Sequence, residues 1–121
     1  MLKKHTLSFK HAFEGLKWVV RTQANFKIHL FFSILSLLGA WFFKISYPEL
    51  LVILVLIAIG LVIETINTGI EETIDAIHKD WSPEIKIAKD VAAASMLIFA
   101  IGAIAIAAII FVPRILSLLN F

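Results

Sequence analysis

The sequence contains no cysteine among its 121 residues. Disulfide bonds, thiolate metal centres and cysteine nucleophiles are therefore excluded. It also lacks the phosphate-binding loop of nucleotide hydrolases and the catalytic loop of protein kinases, so any ATP site is not one of the common soluble types. Charged residues are scarce as well, at 17% of the chain, and they are nearly absent from three long apolar blocks.

Hydrophobic residues make up 60% of the chain, whereas an ordinary soluble domain contains about 45 to 50%. The three apolar blocks are too long and too uniform to be the amphipathic faces of a soluble helical bundle. We therefore predict an all-α integral membrane protein that forms a single membrane domain over residues 1–121. The predicted segments are a surface helix and three transmembrane helices, at about 6–26, 28–46, 48–78 and 83–118, with polar extensions at the end of the second span and the start of the third.

The N-terminal segment has the periodicity of an amphipathic helix. Phe9, Phe13, Leu16 and Val20 follow four-three-four spacing, and a stripe of charged residues lies about 100° round the helix. This pattern is typical of a helix that lies on the membrane surface rather than across it. The alternative is a solvated charged tail whose periodicity arises by chance.

The distribution of basic residues predicts the orientation in the membrane. With three spans, the N-terminal segment and the second link lie on one side and carry nine lysines and arginines, whereas the other side carries Lys44 and Arg114. Positively charged loops remain on the cytoplasmic side. We therefore predict a cytoplasmic N-terminus.

Acidic residues follow the second apolar run directly. Glu64, Asn67, Glu71 and Asp75 are separated by three, four and four residues, so they project from one face of a helix. The apolar run over 50–63 covers only about 21 Å of a hydrocarbon core of about 30 Å. Glu64 is therefore expected inside the membrane, Glu71 at the headgroup boundary and Asp75 beyond it.

Two carboxylates at different depths in the membrane can have different roles in a phosphoryl transfer. Glu64, which is the more desolvated, suits general base catalysis on a hydroxyl group delivered from the bilayer. Glu71, at the wet end, suits binding of Mg²⁺ through oxygen, and Asn67 lies between them. Transfer from Mg·ATP to a lipid alcohol needs this arrangement. A proton or cation transport subunit and a structural membrane adaptor are the alternatives, and no nucleic-acid partner is expected.

These residues resemble the signature of a known family. The pattern Glu64-x-x-Asn67-x-x-Ile70-Glu71-x-x-x-Asp75, followed by Ala88-Lys89-Asp90, is similar to that of the small bacterial integral-membrane lipid kinases, the diacylglycerol kinase and undecaprenol kinase family. The resemblance extends over nearly the whole chain. It implies that Glu64 is the general base with Asn67 beside it, and that Glu71 is the Mg²⁺ ligand.

The resemblance also implies a nucleotide site and an assembly. Lys89 and Asp90 match the family's lysine-aspartate pair at the ATP site, and His11 occupies a position near the adenine. The implied protein is a homotrimer with shared active sites in the bacterial cytoplasmic membrane, where it phosphorylates undecaprenol or, as the alternative, diacylglycerol. Gln23 stands where relatives carry a second metal-binding glutamate, and its neutral amide can still supply an oxygen to Mg²⁺.

Overall fold

The computed structural model describes residues 2–119, which form four α-helices in chain order. The helices are α1 (Leu2–Thr22), α2 (Ala24–Phe42), α3 (Tyr47–Ile77) and α4 (Pro83–Leu118). The last three are long and apolar enough to cross a membrane. The expectation of an all-α fold with an N-terminal helix and three membrane-spanning helices is therefore confirmed.

The boundary between α1 and α2 lies at Gln23. Its backbone is extended, with φ −90° and ψ 116°, and it occupies the N-cap position of α2. This break comes three residues before the expected end of the surface helix at residue 26, so residues 24–26 belong to the first spanning helix instead. The buried side chain of Phe26 explains the shift, because α2 packs from its first turn.

A tight turn joins α2 to α3. Lys44 adopts a left-handed conformation with φ 49°, and the amide groups of Lys44 and Ile45 donate back to carbonyls in the last turn of α2, as in a Schellman motif. Ser46 then starts α3, because its backbone N–H donates to Glu49 Oε2 at 2.8 Å in a capping box. The polar groups of both helix ends are satisfied within four residues.

An ion pair connects the N-terminal end of α3 to the C-terminal end of α4. Arg114 Nη2 donates to Glu49 Oε2 at 2.8 Å, across 65 positions of sequence. The side chain of Arg114 is 30% exposed and that of Glu49 is 28% exposed. Partial burial strengthens such a charged hydrogen bond relative to one on an open surface.

Helix α3 lies between the other two spanning helices and packs against both. The core within one chain is small, because its buried hydrophobic residues are only Val19, Phe26, Ala40, Ile53 and Ile110 among the described residues. Most large apolar side chains are exposed. The helices approach closely at Gly60, where a Cβ atom would lie 2.7 Å from the Phe99 ring of α4.

We predict that Gly60→Ala destabilises the bundle. A new methyl group would force the Phe99 ring out of its position, and overpacking of this kind costs about 1 to 3 kcal/mol. Gly102→Ala is the matched control, because a Cβ there meets nothing within 4 Å and the better helix propensity of alanine favours it by about 1 kcal/mol. Thermal unfolding in detergent measures both variants, and equal melting temperatures would contradict the close contact.

Candidate active site

The buried face of α3 carries the polar groups of the site. Glu64, Asn67 and Thr68 are 2%, 5% and 3% exposed, and they are the buried polar residues among those the structure describes. Glu71 follows on the same side, one turn further along, and is half-buried. We call these four residues the polar face of α3. An unpaired polar group in an apolar span is costly, so its retention points to function.

The amide of Asn67 has a defined orientation on this face. Its Nδ2 donates to Glu71 Oε1 at 3.1 Å, whereas its Oδ1 is buried and accepts no hydrogen bond within the described chain. A buried acceptor without a partner costs about 1 to 3 kcal/mol. Such an atom marks a place where a donor or a cation from a ligand belongs. The structure thus brings Asn67 and Glu71 together, as the spacing predicted.

Thr68 is a buried residue beside Glu64 and Asn67 that the sequence pattern did not single out. The other threonines of α3, Thr65 and Thr73, are exposed, and each hydroxyl donates to the carbonyl four residues earlier at 2.7 Å. The side chain of Thr68 is buried instead, on the side of α3 that carries Glu64 and Asn67. The sequence contained one indication of this burial. Thr68 follows Glu64 by four residues, and that spacing places both side chains on one face of the helix.

A second group of charged residues lies where α3 and α4 approach the link between them. Lys89 Nζ lies 2.5 Å from Asp75 Oδ1, and Lys86 Nζ lies 2.6 Å from Asp90 Oδ2. A cavity of about 320 Å³ opens among these residues and the link, and we call it the link cavity. These ion pairs are largely exposed and therefore weak, so an incoming anion can replace either acid as the partner of its lysine.

The two predicted residues on or beside α1 have local partners instead. His11 Nδ1 lies 3.3 Å from Glu14 Oε2, and Gln23 Nε2 donates to Thr22 Oγ1 at 3.4 Å. Neither residue lines the link cavity. Within the described part of the chain, no group of three or more histidines, aspartates and glutamates is arranged to hold a metal ion. A role for His11 and Gln23 stays a prediction.

Comparison with known proteins gives the family. The sequence profile described as prokaryotic diacylglycerol kinase matches residues 10–111, which include the polar face and the link cavity. The chain belongs to the prokaryotic diacylglycerol kinase family. It is also similar to the undecaprenol kinase of Bacillus subtilis (strain 168), with 34% identity over 113 residues that cover 93% of this chain and 92% of that protein.

A second relative has a different named substrate. The chain is 29% identical over 114 residues to a diacylglycerol kinase of Synechocystis sp., and the match covers 93% of this chain and 65% of that protein. The family and both relatives indicate that this membrane protein is a lipid kinase. Family membership therefore favours the kinase over the transport subunit and the adaptor that the acidic stripe alone left open.

We predict that Thr68→Val lowers the rate of phosphoryl transfer about tenfold without lowering stability. The change removes a hydroxyl group and keeps a side chain of similar shape at a buried position, so the fold should survive. A hydrogen bond to a charged reactant contributes about 1.5 to 3 kcal/mol. Thr65→Val is the matched control on the exposed side of the same helix. Equal activity of the two variants would remove Thr68 from the site.

Proposed function

We propose that this lipid kinase transfers the γ-phosphoryl group of ATP to the hydroxyl group of undecaprenol, giving undecaprenyl phosphate and ADP. The observation that carries the proposal is the buried carboxylate of Glu64, which lies within an apolar spanning helix and has no ion-pair partner in the described chain. Similarity to an undecaprenol kinase over nearly its full length favours this acceptor. The second candidate is diacylglycerol, which the Synechocystis relative supports.

Glu64 acts as the general base in this proposal. Its carboxylate accepts the proton of the lipid hydroxyl while the hydroxyl oxygen attacks the γ-phosphorus. A bond forms between that oxygen and phosphorus, the bond from phosphorus to the ADP oxygen breaks, and the proton later passes from Glu64 to water. Burial keeps competing water away from the reacting hydroxyl, and the depth of Glu64 matches an acceptor that remains in the bilayer.

The residues beside Glu64 fit a magnesium ion that arrives with ATP. Glu71 offers a carboxylate, and Asn67 Oδ1 is a buried oxygen without a partner in the described chain. Mg²⁺ binds through oxygen and needs only one or two carboxylates in addition to substrate phosphates and water. The lack of a larger acidic cluster among the described residues therefore agrees with this ion. When bound, Mg²⁺ neutralises phosphate charge, and Gln23 is a proposed further ligand.

The link cavity is the proposed site for the nucleotide. Lys89 and Lys86 exchange their carboxylate partners for phosphate oxygens there, and Asp90 is released to interact with other parts of the nucleotide. Helix α1 closes over the nucleotide in this arrangement, with His11 on the adenine side. ATP enters from the cytoplasm, so the N-terminus and the link lie on the cytoplasmic face of a bacterial cytoplasmic membrane.

A homotrimer completes the proposed site. The exposed apolar side chains cover most of the spanning helices, and the core within one chain is small. Glu64, Asn67 and Thr68 are already buried within one chain, so the neighbouring subunit is proposed to cover the half-buried Glu71 and the exposed apolar surface of the spanning helices. In a closed symmetric trimer, every subunit has a neighbour that covers these surfaces in the same way.

We predict that Glu64→Gln reduces phosphoryl transfer about 10²- to 10⁴-fold, because general base catalysis typically contributes that factor. The variant keeps the size and polarity of the side chain, so the fold and the oligomer should survive. Glu72→Gln is the matched control, since Glu72 is exposed. Transfer of labelled phosphate from ATP to lipid in detergent measures the rate, and undiminished transfer in Glu64→Gln would exclude Glu64 as the base.

A parallel assay of the two acceptors tests the substrate. With Mg·ATP and equal mole fractions in mixed micelles, undecaprenol should have the higher kcat/KM and diacylglycerol the lower. Both acceptors are assayed with the same enzyme preparation in the same detergent, so a difference in enzyme stability does not contribute to the difference in kcat/KM. A higher kcat/KM for diacylglycerol would replace undecaprenol by the second candidate, with the chemistry at Glu64 unchanged.

A further inference from the structure

An apolar cavity of about 390 Å³ lies between α2, α3 and α4 on the side of α3 that carries Glu64. Its α3 wall includes Gly60, Ile57 and Ile53, which precede Glu64 by four, seven and eleven residues and therefore share its face. At 1.5 Å per residue, this wall extends from about 6 Å to about 16 Å from Glu64 along the helix axis. The cavity thus begins one turn from Glu64 and continues into the apolar part of the span.

The other walls explain why this space is open. Helix α4 contributes Ala103 and Ala107, whose small side chains leave room that a larger residue would fill. The Phe99 ring bounds the end nearest Glu64, since it lies against Gly60 and its centroid is 6.2 Å from that of His29. The lining is otherwise mostly aliphatic.

The size of the cavity distinguishes it from an ordinary packing defect. The cavity is partly open to the outside, and its volume lies within the range of ligand pockets, which is about 300 to 1,000 Å³. Water is a poor occupant, because few polar groups line the cavity and the Ser33 hydroxyl already donates to the His29 carbonyl oxygen at 2.7 Å. An apolar ligand fits the lining better.

We propose that this cavity binds the hydrocarbon chain of the lipid alcohol, over the segment that follows its hydroxyl group. The inference rests on the proposed function, because it assumes that the hydroxyl reaches Glu64. An engineered cavity of about 150 Å³ holds benzene, so by proportion this cavity holds about fifteen carbon atoms. That volume matches three isoprene units of one chain, and the remainder of a longer chain extends into the bilayer.

The volume and the position together make the cavity a determinant of specificity. A single chain that extends past the Phe99 ring fills the space and holds the hydroxyl at Glu64, whereas a short alcohol makes none of the deeper contacts. Ala103 and Ala107 control the depth that a chain can reach, and Phe99 controls the width near Glu64. The cavity therefore selects for acceptors with a long single chain.

The test compares prenols of two lengths as acceptors with Mg·ATP. Ala103→Leu and Ala107→Leu should lower the ratio of kcat/KM for a fifteen-carbon prenol to that for a five-carbon prenol by tenfold or more, because one methylene in an apolar pocket changes selectivity about 10- to 200-fold. Ala105→Leu and Ala108→Leu are the matched controls, since both residues are exposed on α4, and their ratio should equal that of the wild type. An unchanged ratio in the cavity variants, or an equal fall in the controls, would overturn the proposal.

A binding measurement separates this proposal from the proposed function. A fifteen-carbon prenol with a diazirine on its chain should label α4 within residues 99–107, and Ala103→Leu should abolish the labelling. Labelling without transfer of phosphate to any prenol would retain the cavity as a lipid-chain site and reject the proposed function. Transfer to prenols with labelling spread evenly round α4 would reject the cavity and retain the function.

Discussion

The main physical constraint on this protein is the placement of one carboxylate, that of Glu64, inside an apolar spanning helix. An ionisable group at that depth costs about 2.5 to 3.5 kcal/mol on insertion scales. No described cation pairs with it, since the ion pairs between α3 and α4 lie at the two ends of α3, at Glu49 with Arg114 and at Asp75 with Lys89. The ion pairs that join α3 to α4 thus lie near the ends of α3, and in the proposed mechanism the unpaired Glu64 between them acts on the substrate.

Helix α3 connects the two environments that a lipid kinase must join. Its 31 residues extend over about 46 Å, which exceeds the hydrocarbon core of about 30 Å. The apolar cavity, the polar face and the link cavity follow one another along this helix. In the proposed mechanism, a lipid in the bilayer and a nucleotide in water therefore meet at the polar face of α3, and neither has to leave its own phase.

The small core of one chain has consequences for stability as well as for catalysis. The five buried hydrophobic residues are distributed among all four helices, so the fold relies on helix contacts such as Gly60 with Phe99 and on the ion pair of Glu49 with Arg114. In the proposed homotrimer, lipid and neighbouring subunits supply the remaining contacts. In the membrane, close packing and interhelical hydrogen bonds take the place of the hydrophobic effect as the force that associates helices.

The helices and the order of the polar residues along them were predictable from the sequence, because the patterns that indicate them are local. The length of an apolar run predicts a span, and the spacing of Glu64, Asn67 and Glu71 places them on one face, because the helical period is constant. The Asn67 to Glu71 hydrogen bond follows from that spacing. The family signature depends on the same short-range pattern and named the kinase correctly.

Other features depend on which helices meet, and no local pattern contains that information. The burial of Thr68, the pairing of Asp75 with Lys89 and the break at Gln23 arise from contacts between segments distant in sequence or from packing of the first turn of α2. The apolar cavity likewise exists only because small residues of α4 lie opposite the Glu64 side of α3. The sequence by itself determined the helices and the order of the polar groups along them, whereas the tertiary structure decided which groups are buried, paired or left open to a ligand.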